Sequence, residues 1–442
     1  MTDSVTNEAW KAAPVDAASR QALTTRGLEY RTVSHDDPPA FAGWLQAVAR
    51  GFQDGERNDE HIAVNRELTA YRRLTGVYDA AAPMADTPVA TIASWIAEVS
   101  APGGRAIPSC AITSVTVAPT HRRRGIARAM LEGELRAAAG AGLPMAMLTV
   151  SESTLYGRYG FAPAAASASW TIETKRARWV GPQPDGRVDF IPRARLRELA
   201  PELHDRARRG APGEIEVPAG HWDNIAGTRR DAKDTDKLRA VQYADAGGQV
   251  TGLAVYTVEG NDDDFTKATV TVGYLLTATD DAYAGLWRFL LELDLVGTVK
   301  ASEQSVDEPL WWMIDDQRAA TITLRDHQYL RILDVPAALE ARSYGAPGRF
   351  VLDVTDLLGI AGGRFLLDAA ADGTASVTRL ADDDRPTGAV EVALDVRELS
   401  AAYLGGVLLA TLAQAGLVQA TDADAAARTF GWHVPPRLSV WY

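Results

Sequence analysis

The stretch Ser114–Ala138, SVTVAPTHRRRGIARAMLEGELRAA, carries the most specific chemistry in the 442-residue chain. An apolar strand delivers Arg122-Arg123-Arg124-Gly125-Ile126-Ala127, and a helix begins at once. Successive backbone N–H groups at a helix N-terminus, with a residue lacking Cβ where a phosphate must approach, form an anion cradle. The neighbouring arginines add charge suited to a pyrophosphate, and Pro119 fixes the loop entry without needing a donor. By itself R-x-x-G-x-A is short and recurs by chance. Its place between a strand and a helix, one βαβ unit ahead of a second motif, makes the phosphate-binding reading specific.

The second motif is SESTLYGRYGFAPA, Ser151–Ala164. Ser151 and Glu152 end the strand after the cradle helix, and Tyr156 opens a short helical turn. Gly157, Gly160 and Pro163 shape the loop into the next strand. A tyrosine there can point its hydroxyl into the gap between two diverging strands. Tyr159 and Phe161 read as aromatic core, the usual role of such residues; position, not residue type, singles out Tyr156. Cys110 is the single cysteine, so no intrachain disulfide is available, and beside a strand it reads as a small core residue. His61, His221 and His433 are scattered without ligand spacing, and His121 belongs to the basic loop. No zinc pattern exists and no metal is expected.

These motifs need elements to hold them. At about 150 residues per domain the length suggests about three domains, and 46% hydrophobic residues supply several cores. The formal charge of −13 argues against non-specific nucleic-acid binding and is compatible with a cationic substrate. MTDSVTNEAW is acidic where a secretory signal would be basic, and no apolar run approaches a membrane span. A cytoplasmic protein with no membrane partner is expected. Residues 1–25, polar and Ala-rich, read as a loose extension. Helices are expected at Ala40–Gly51 and near Asn65–Tyr71, strands at Val89–Val99 and Ala111–Val117, then the helix Ile126–Ala139 and the strand Met145–Val150. Turn formers in Trp179–Asp189 mark a boundary. Beyond it the order repeats: strands Val250–Thr257 and Ala268–Leu276, then a helix Ala282–Leu295, joined by TATDD, which lacks Gly and places Asp280 and Asp281 as caps. After Asp326 come strands Arg349–Val354, Arg364–Ala369, Ser376–Leu380 and Ala389–Val396, with helices Ala401–Ala413 and Asp422–Phe430. This is an α+β texture.

VTVAPTHRRRGIARAML followed by SE-x-x-x-YGRYGFAPA resembles the GCN5-related N-acetyltransferases, and more closely the Eis (enhanced intracellular survival) acetyltransferases of actinobacteria. LWRFLLELDLV (Leu286–Val296), LRILDVPAALEARSYG (Leu330–Gly345) and the length extend the likeness over nearly the whole chain beyond residue 25. The resemblance implies an α/β (α+β) fold of tandem acetyltransferase domains followed by a sterol-carrier-protein-like domain. With the textures above, the limits are 1–180 for the acetyl-CoA-binding domain, 181–326 for a copy without the cofactor loop, and 327–442 for the last. It also implies homohexamers and amino groups of small molecules such as aminoglycosides as acceptors.

Carried over by motif position, Val115, Thr116 and Val117 offer backbone groups to the pantetheine arm. Arg123, Arg124, Gly125, Ile126, Ala127 and Arg128 hold the pyrophosphate, and Ser151 and Glu152 line the cofactor. Tyr156 is the general acid, and the base is the terminal carboxylate on Tyr442. The family can carry an acidic residue just before the terminus to help bind the amine; here Trp441 stands there. Asp54 matches another acidic substrate position, although Asp54, Glu56, Asp59 and Glu60 also read as a solvated charged face.

Direct attack of an amine on the thioester in a ternary complex needs no enzyme nucleophile, consistent with the lack of a credible cysteine. A backbone N–H near Val117 can bond the thioester oxygen. Tyr156, at a reference pKa of about 10 against about 8.5 for a thiol, stays protonated and can donate to the departing sulfur. Two other readings compete: an acetyltransferase for protein lysines or metabolite amines, and an apolar-ligand carrier working through the last domain. A deep acidic pocket would favour polyamines or aminoglycosides. An aromatic tail plugged towards the first domain would leave little room for a lipid.

Overall fold

The computed structural model describes residues 6–381 and 383–442; the first five positions of the expected N-terminal extension lie outside the described residues. The rest of that stretch is not loose. It forms two helices, α1 (Asn7–Ala12) and α2 (Ala17–Thr24), capped by Thr6 and Asp16. Trp10 is 1% exposed, and its indole N–H donates to Ser94 Oγ at 2.9 Å. Asp16 pairs with Arg136 at 2.8 Å, and Ser19 Oγ donates to the Ala129 carbonyl at 2.6 Å. A polar, Ala-rich composition conceals these few inward contacts.

The chain continues through β1 (Glu29–Val33), α3 (Pro38–Gly51), α4 (Asp59–Leu68), β2 (Arg73–Tyr78), β3 (Ala90–Ala101), β4 (Arg105–Val117), α5 (Ile126–Gly140), β5 (Met145–Thr149) and α6 (Ser153–Tyr156). Helix α4 starts earlier than the apolar spacing implies. Asn58 caps it by accepting from His61 N at 2.8 Å, and Asp59 and Glu60 fill the first turn, where the helix dipole favours carboxylates. Strand β2 is buried at every position, which removes the alternation that would reveal it. Strands β1 to β4 are joined antiparallel, whereas β4 and β5 run parallel with α5 as the crossover. Helix α5 buries Ile126, Met130, Leu131, Leu135 and Ala138. Glu134 on the same face is ion-paired with buried Arg73 at 2.7 Å.

The chain forms two compact units, one of residues up to Ala164 with 328–433 and Tyr442, the other of 165–327 with 434–441. Strand β6 (Ala162–Glu173) leads into the second unit, followed by β7 (Arg187–Phe190), α7 (Arg193–Arg208), α8 (Ala219–Ala226), β8 (Arg239–Ala244), β9 (Val250–Glu259), β10 (Ala268–Thr277), α9 (Asp280–Leu291), β11 (Val296–Gln304) and α10 (Leu310–Met313). Its strands lie in the order β6-β11-β10-β9-β8-β7. The β10-α9-β11 unit is parallel, as β4-α5-β5 is, so the arrangement is repeated. Thr279, rather than Asp280 or Asp281, caps α9 by accepting from Ala282 N at 3.2 Å. Asp281 instead accepts the Tyr243 hydroxyl, and the helix ends at Leu291 with Glu292 as its C-cap, short of the expected Leu295, which is left-handed at φ 66°.

Strand β12 (Ala320–Ile332) returns to the first unit at Gln328, and Gln328–Ile332 pairs antiparallel with β5. Then follow α11 (Val335–Glu340), β13 (Gly348–Thr355), β14 (Gly363–Ala369), β15 (Ala375–Arg379), β16 (Val390–Asp395), α12 (Val396–Ala402), α13 (Leu409–Gln414), β17 (Val418–Ala420) and α14 (Ala423–Phe430). The strands form a second sheet, β15-β14-β13-β16-β17. The single helix expected at Ala401–Ala413 is broken into α12 and α13. Gly405 sits between them at φ 84°, where a Cβ would collide with Trp432.

Arg331 on β12 is fully buried and ion-paired to buried Asp356 at 2.8 Å, while its Nε donates to the Tyr159 carbonyl at 2.9 Å. Asp356 also accepts from the backbone N–H groups of Leu358, Ile360 and Ala361. The pair therefore ties the turn after Tyr156 to the sterol-carrier-like part. Removing the charge with Asp356→Asn leaves a buried guanidinium unpaired and is expected to cost about 3–5 kcal/mol, read from the denaturant midpoint. A loss under about 1 kcal/mol would mean that water reaches Arg331.

Candidate active site

Strands β4 and β5 pair only from Ser109–Ile112 to Met145–Leu148, and β4 then runs on to Val117 without that neighbour. The divergence has a local cause. On the β3 side, Thr91 faces Thr116 and Ala93 faces Thr113, so Ser114 and Val115 bulge, with Ser114 at φ 53°. Thr91 Oγ1 holds the bulge, donating to the Ser114 carbonyl at 2.8 Å and meeting Thr116 Oγ1 at 2.7 Å. Val115 and Val117 pack with Ile126 and Tyr156 in one apolar cluster. The β4 segment, the start of α5 and the candidate acid thus pack against the same core.

Gly125 is the N-cap of α5 in the left-handed region, φ 70°, with no side-chain cap. The first N–H groups of a 15-residue helix are therefore open to an external anion. Arg123 is also left-handed at φ 62°, and Arg122, Arg123 and Arg124 are exposed. Arg128 extends along the helix to Glu132, 2.9 Å away. His121 anchors the loop entry, hydrogen-bonded between Thr120 Oγ1 and Asp79. The His121 contact, with the Ala81 N–H and Arg124, holds Asp79 below the usual carboxylate range. One contributor had no sequence signal: Arg26, just after α2, donates from Nη1 to the Arg124 carbonyl and lies where a Cβ on Gly125 would collide.

Ser151, Glu152 and α6 follow directly on β5, with Glu152 at the N-cap position of α6. Tyr156 is half-buried, and its ring meets Phe161 edge-on at 6.1 Å. Burial first, then the Glu152 carboxylate and Tyr159, push its phenol up to about 12. Tyr159 and Phe161 lie in the core. At the end of β5, Thr149 Oγ1 donates to a terminal oxygen of Tyr442 at 2.9 Å. The Tyr442 ring is buried edge-on against Trp95 at 5.3 Å, and burial pushes its phenol well above the ordinary tyrosine value. Cys110 is fully buried, and burial likewise raises its thiol.

A cavity of about 190 Å3 is lined by Trp44, Arg57, His61, Asn65, Arg72 and Ser114 among others. Asp54 is half-exposed and reaches this lining only through Arg57, its ion-pair partner at 2.6 Å. Trp441 belongs to the second unit: it is 48% exposed, its ring lies 5.2 Å from that of His327, and its carbonyl is hydrogen-bonded to His221 at 2.9 Å. Thr149, Arg26, Arg57 and Arg72 went unnoticed in the sequence because single threonines and arginines carry no pattern. Among the described residues no group of three or more His, Cys, Asp or Glu side chains could hold a metal ion, and no helix is long and apolar enough to cross a membrane.

Comparison with known proteins agrees with this geometry. Residues 29–164 and 213–332 each match an acetyltransferase (GNAT) domain family, and residues 335–439 match a sterol carrier protein domain. An uncharacterised N-acetyltransferase of Streptomyces avermitilis is 36% identical over 406 residues, 88% of this chain and 94% of that protein. The N-acetyltransferase Eis of Mycobacterium tuberculosis is 34% identical over 337 residues, 74% of this chain and 78% of that protein. The crystal structure of Eis1 from Mycobacterium abscessus superposes with a TM-score of 0.78 at 27% identity, covering 94% of this chain and all of that one. With two acetyltransferase domains and a sterol carrier protein domain matched along it, the chain belongs to the Eis family of GCN5-related N-acetyltransferases.

Proposed function

We propose that this N-acetyltransferase moves the acetyl group of acetyl-CoA to an amine of a small molecule by direct attack in a ternary complex. The amine nitrogen attacks the thioester carbonyl carbon, a C–N bond forms as the C–S bond breaks, the amine proton passes to the terminal carboxylate, and the thiolate takes the Tyr156 proton. The observation that carries this reading is the Tyr442 terminal oxygen held by Thr149 at the end of β5, where β4 and β5 part.

The residues present fit acetyl-CoA. Gly125 leaves the α5 N-terminus without a side-chain cap, the Arg26 guanidinium lies where a Gly125 side chain would go, and Arg123 and Arg124 immediately precede it in the loop. In this reading the backbone of Val115, Thr116 and Val117 meets the pantetheine arm, Ser151 and Glu152 line the opposite strand, and Asp54 and Trp441 are the candidate acceptor-side positions. Cationic acceptors such as aminoglycosides are the class carried in by the resemblance, supported by the net charge of −13 and by a terminal carboxylate that would draw in an ammonium. A homohexamer, a cytoplasmic location and domain limits after residues 180 and 326 belong to the same proposal. The buried Tyr442 ring against Trp95 favours the enzyme over an apolar-ligand carrier.

The test is thiol release from acetyl-CoA with a panel of amines, alongside Gly125→Glu. At φ 70° a side chain costs roughly 1–2 kcal/mol, so the variant should remain folded, while its carboxylate occupies the phosphate's approach. Calorimetric titration should show acetyl-CoA binding abolished. Unchanged affinity in the folded variant would mean that the cradle is misassigned.

A further inference from the structure

Trp95 on β3, Ala111 on β4, Met147 on β5 and Leu330 on β12 are successive cross-strand partners. Partners in a ladder share a face of the sheet, and residues two apart on one strand share it too. Thr149 and Gln328, themselves paired, therefore project from the same face as Trp95. The alternate positions Cys110, Ala146, Leu148 and Tyr329 belong to the core around α5, on the opposite face. Tyr442 covers the first face: its ring meets Trp95 edge-on at 5.3 Å, and its terminal oxygen accepts from Thr149 Oγ1 at 2.9 Å. All of these residues lie in the first unit.

Gln328 is fully buried, and neither its Nε2 nor its Oε1 has a hydrogen-bond partner among the described residues. A carboxamide so placed has given up its bonds to water, and an apolar side chain of the same shape would fill the space without that cost. Protein interiors rarely leave such a group unsatisfied without a use for it. The terminal carboxylate on the same face is short of donors. A carboxylate has two oxygens and about four acceptor sites, yet Thr149 Oγ1 is the one donor it meets among the described residues. One donor leaves the group able to turn about its Cα–C bond. Opposed side chains on neighbouring strands start roughly 4.5–5.5 Å apart at Cβ, a spacing that the stem of a glutamine spans.

We propose that Gln328 is a positioning residue for the terminal carboxylate. A rotation of its carboxamide brings the Nε2–H onto the terminal oxygen that Thr149 leaves without a donor, fixing the plane of the carboxylate and with it the lone pair that faces the amine. This rests on the reading of Tyr442 as the base. It also accounts for the buried amide, since a donor that is unsatisfied at rest makes a charge-assisted hydrogen bond once it meets the carboxylate.

The test is Gln328→Met in the full-length protein, with Gln328→Leu as a second apolar replacement. Losing an unsatisfied amide should leave the denaturant midpoint unchanged or higher, and calorimetric affinity for acetyl-CoA should stay the same. The kcat should nevertheless fall about tenfold or more, the worth of a hydrogen bond to a charged group. The decisive measurement is a double-mutant cycle against the full-length protein ending in a carboxamide instead of a carboxylate. In that background Gln328→Met should cause no further fall, because the group it positions has lost its charge. Unchanged kcat in Gln328→Met would overturn the proposal, as would a fall that persists undiminished in the carboxamide background. A lower midpoint in both apolar variants would make the amide a structural group and overturn it equally. Full activity of the carboxamide protein itself would overturn the reading of Tyr442 as the base, and this proposal with it, while leaving acetyl transfer standing.

Discussion

Residues appended after Tyr442 should abolish acetyl transfer while acetyl-CoA still binds. Chain ends are ordinarily frayed and tolerant of tags, but this one is not free: Leu438 is 1%, Val440 4% and Tyr442 9% exposed. The Tyr442 hydroxyl is buried with no hydrogen-bond partner among the described residues, so the phenol is placed as packing. The terminal oxygen, in contrast, accepts from Thr149 Oγ1 at the end of the strand that leads into α6. A peptide bond in place of the carboxylate removes the proposed base and adds backbone beside Thr149. Deleting Tyr442 removes the proposed base as well, and loss of a buried ring costs about 3–5 kcal/mol by analogy with large-to-small core changes. The cleaner variant is therefore a terminal amide, which keeps the ring and removes only the charge. Its kcat should fall by about 10²–10⁴ if proton removal limits the rate, with unchanged calorimetric affinity for acetyl-CoA. An amidated or tagged protein, verified intact by mass spectrometry and acetylating at the original rate, would send the search for the base to the acidic residues near Asp54.

Tyr156→Phe should lower kcat by a similar factor, about 10²–10⁴ if protonation of the leaving thiolate limits the rate. The ring and its edge contact with Phe161 remain, so stability should hold. The pH dependence adds a second check. Ionisation of Tyr156 is disfavoured by burial and by Glu152, and its phenol sits at about 12. The donor is therefore fully protonated at neutral pH and is lost only as the pH rises through that value, so kcat should show no alkaline decline from this group up to about pH 10. Tyr159→Phe is the control. Its ring is core, and the turn is held through the Tyr159 carbonyl by Arg331, a contact that the substitution leaves in place. Normal turnover by Tyr156→Phe alongside a dead Tyr159→Phe would exchange the two roles.

The amino-acid sequence by itself determined the features whose causes lie within a few residues. The loop that starts α5 is one: three arginines, a glycine free to adopt φ 70° and a helix start are consecutive, and no distant contact is needed to recognise them. The repeated β-α-β order was legible for the same reason, since apolar spacing and loop composition are local. The tertiary structure decided whatever depends on partners far along the chain. Trp10 donates to Ser94 and turns an apparently loose extension into packed helices. Arg331 and Asp356 tie the turn after Tyr156 to the sterol-carrier-like part. Thr149 and Tyr442 meet from positions 293 apart in the sequence. The seat of Arg72 over Trp95 was equally hidden, because it follows from strand packing. Spacing in a sequence reports what one helix turn or one strand can bring together. Which side chains meet across the fold is set by every element packed around them.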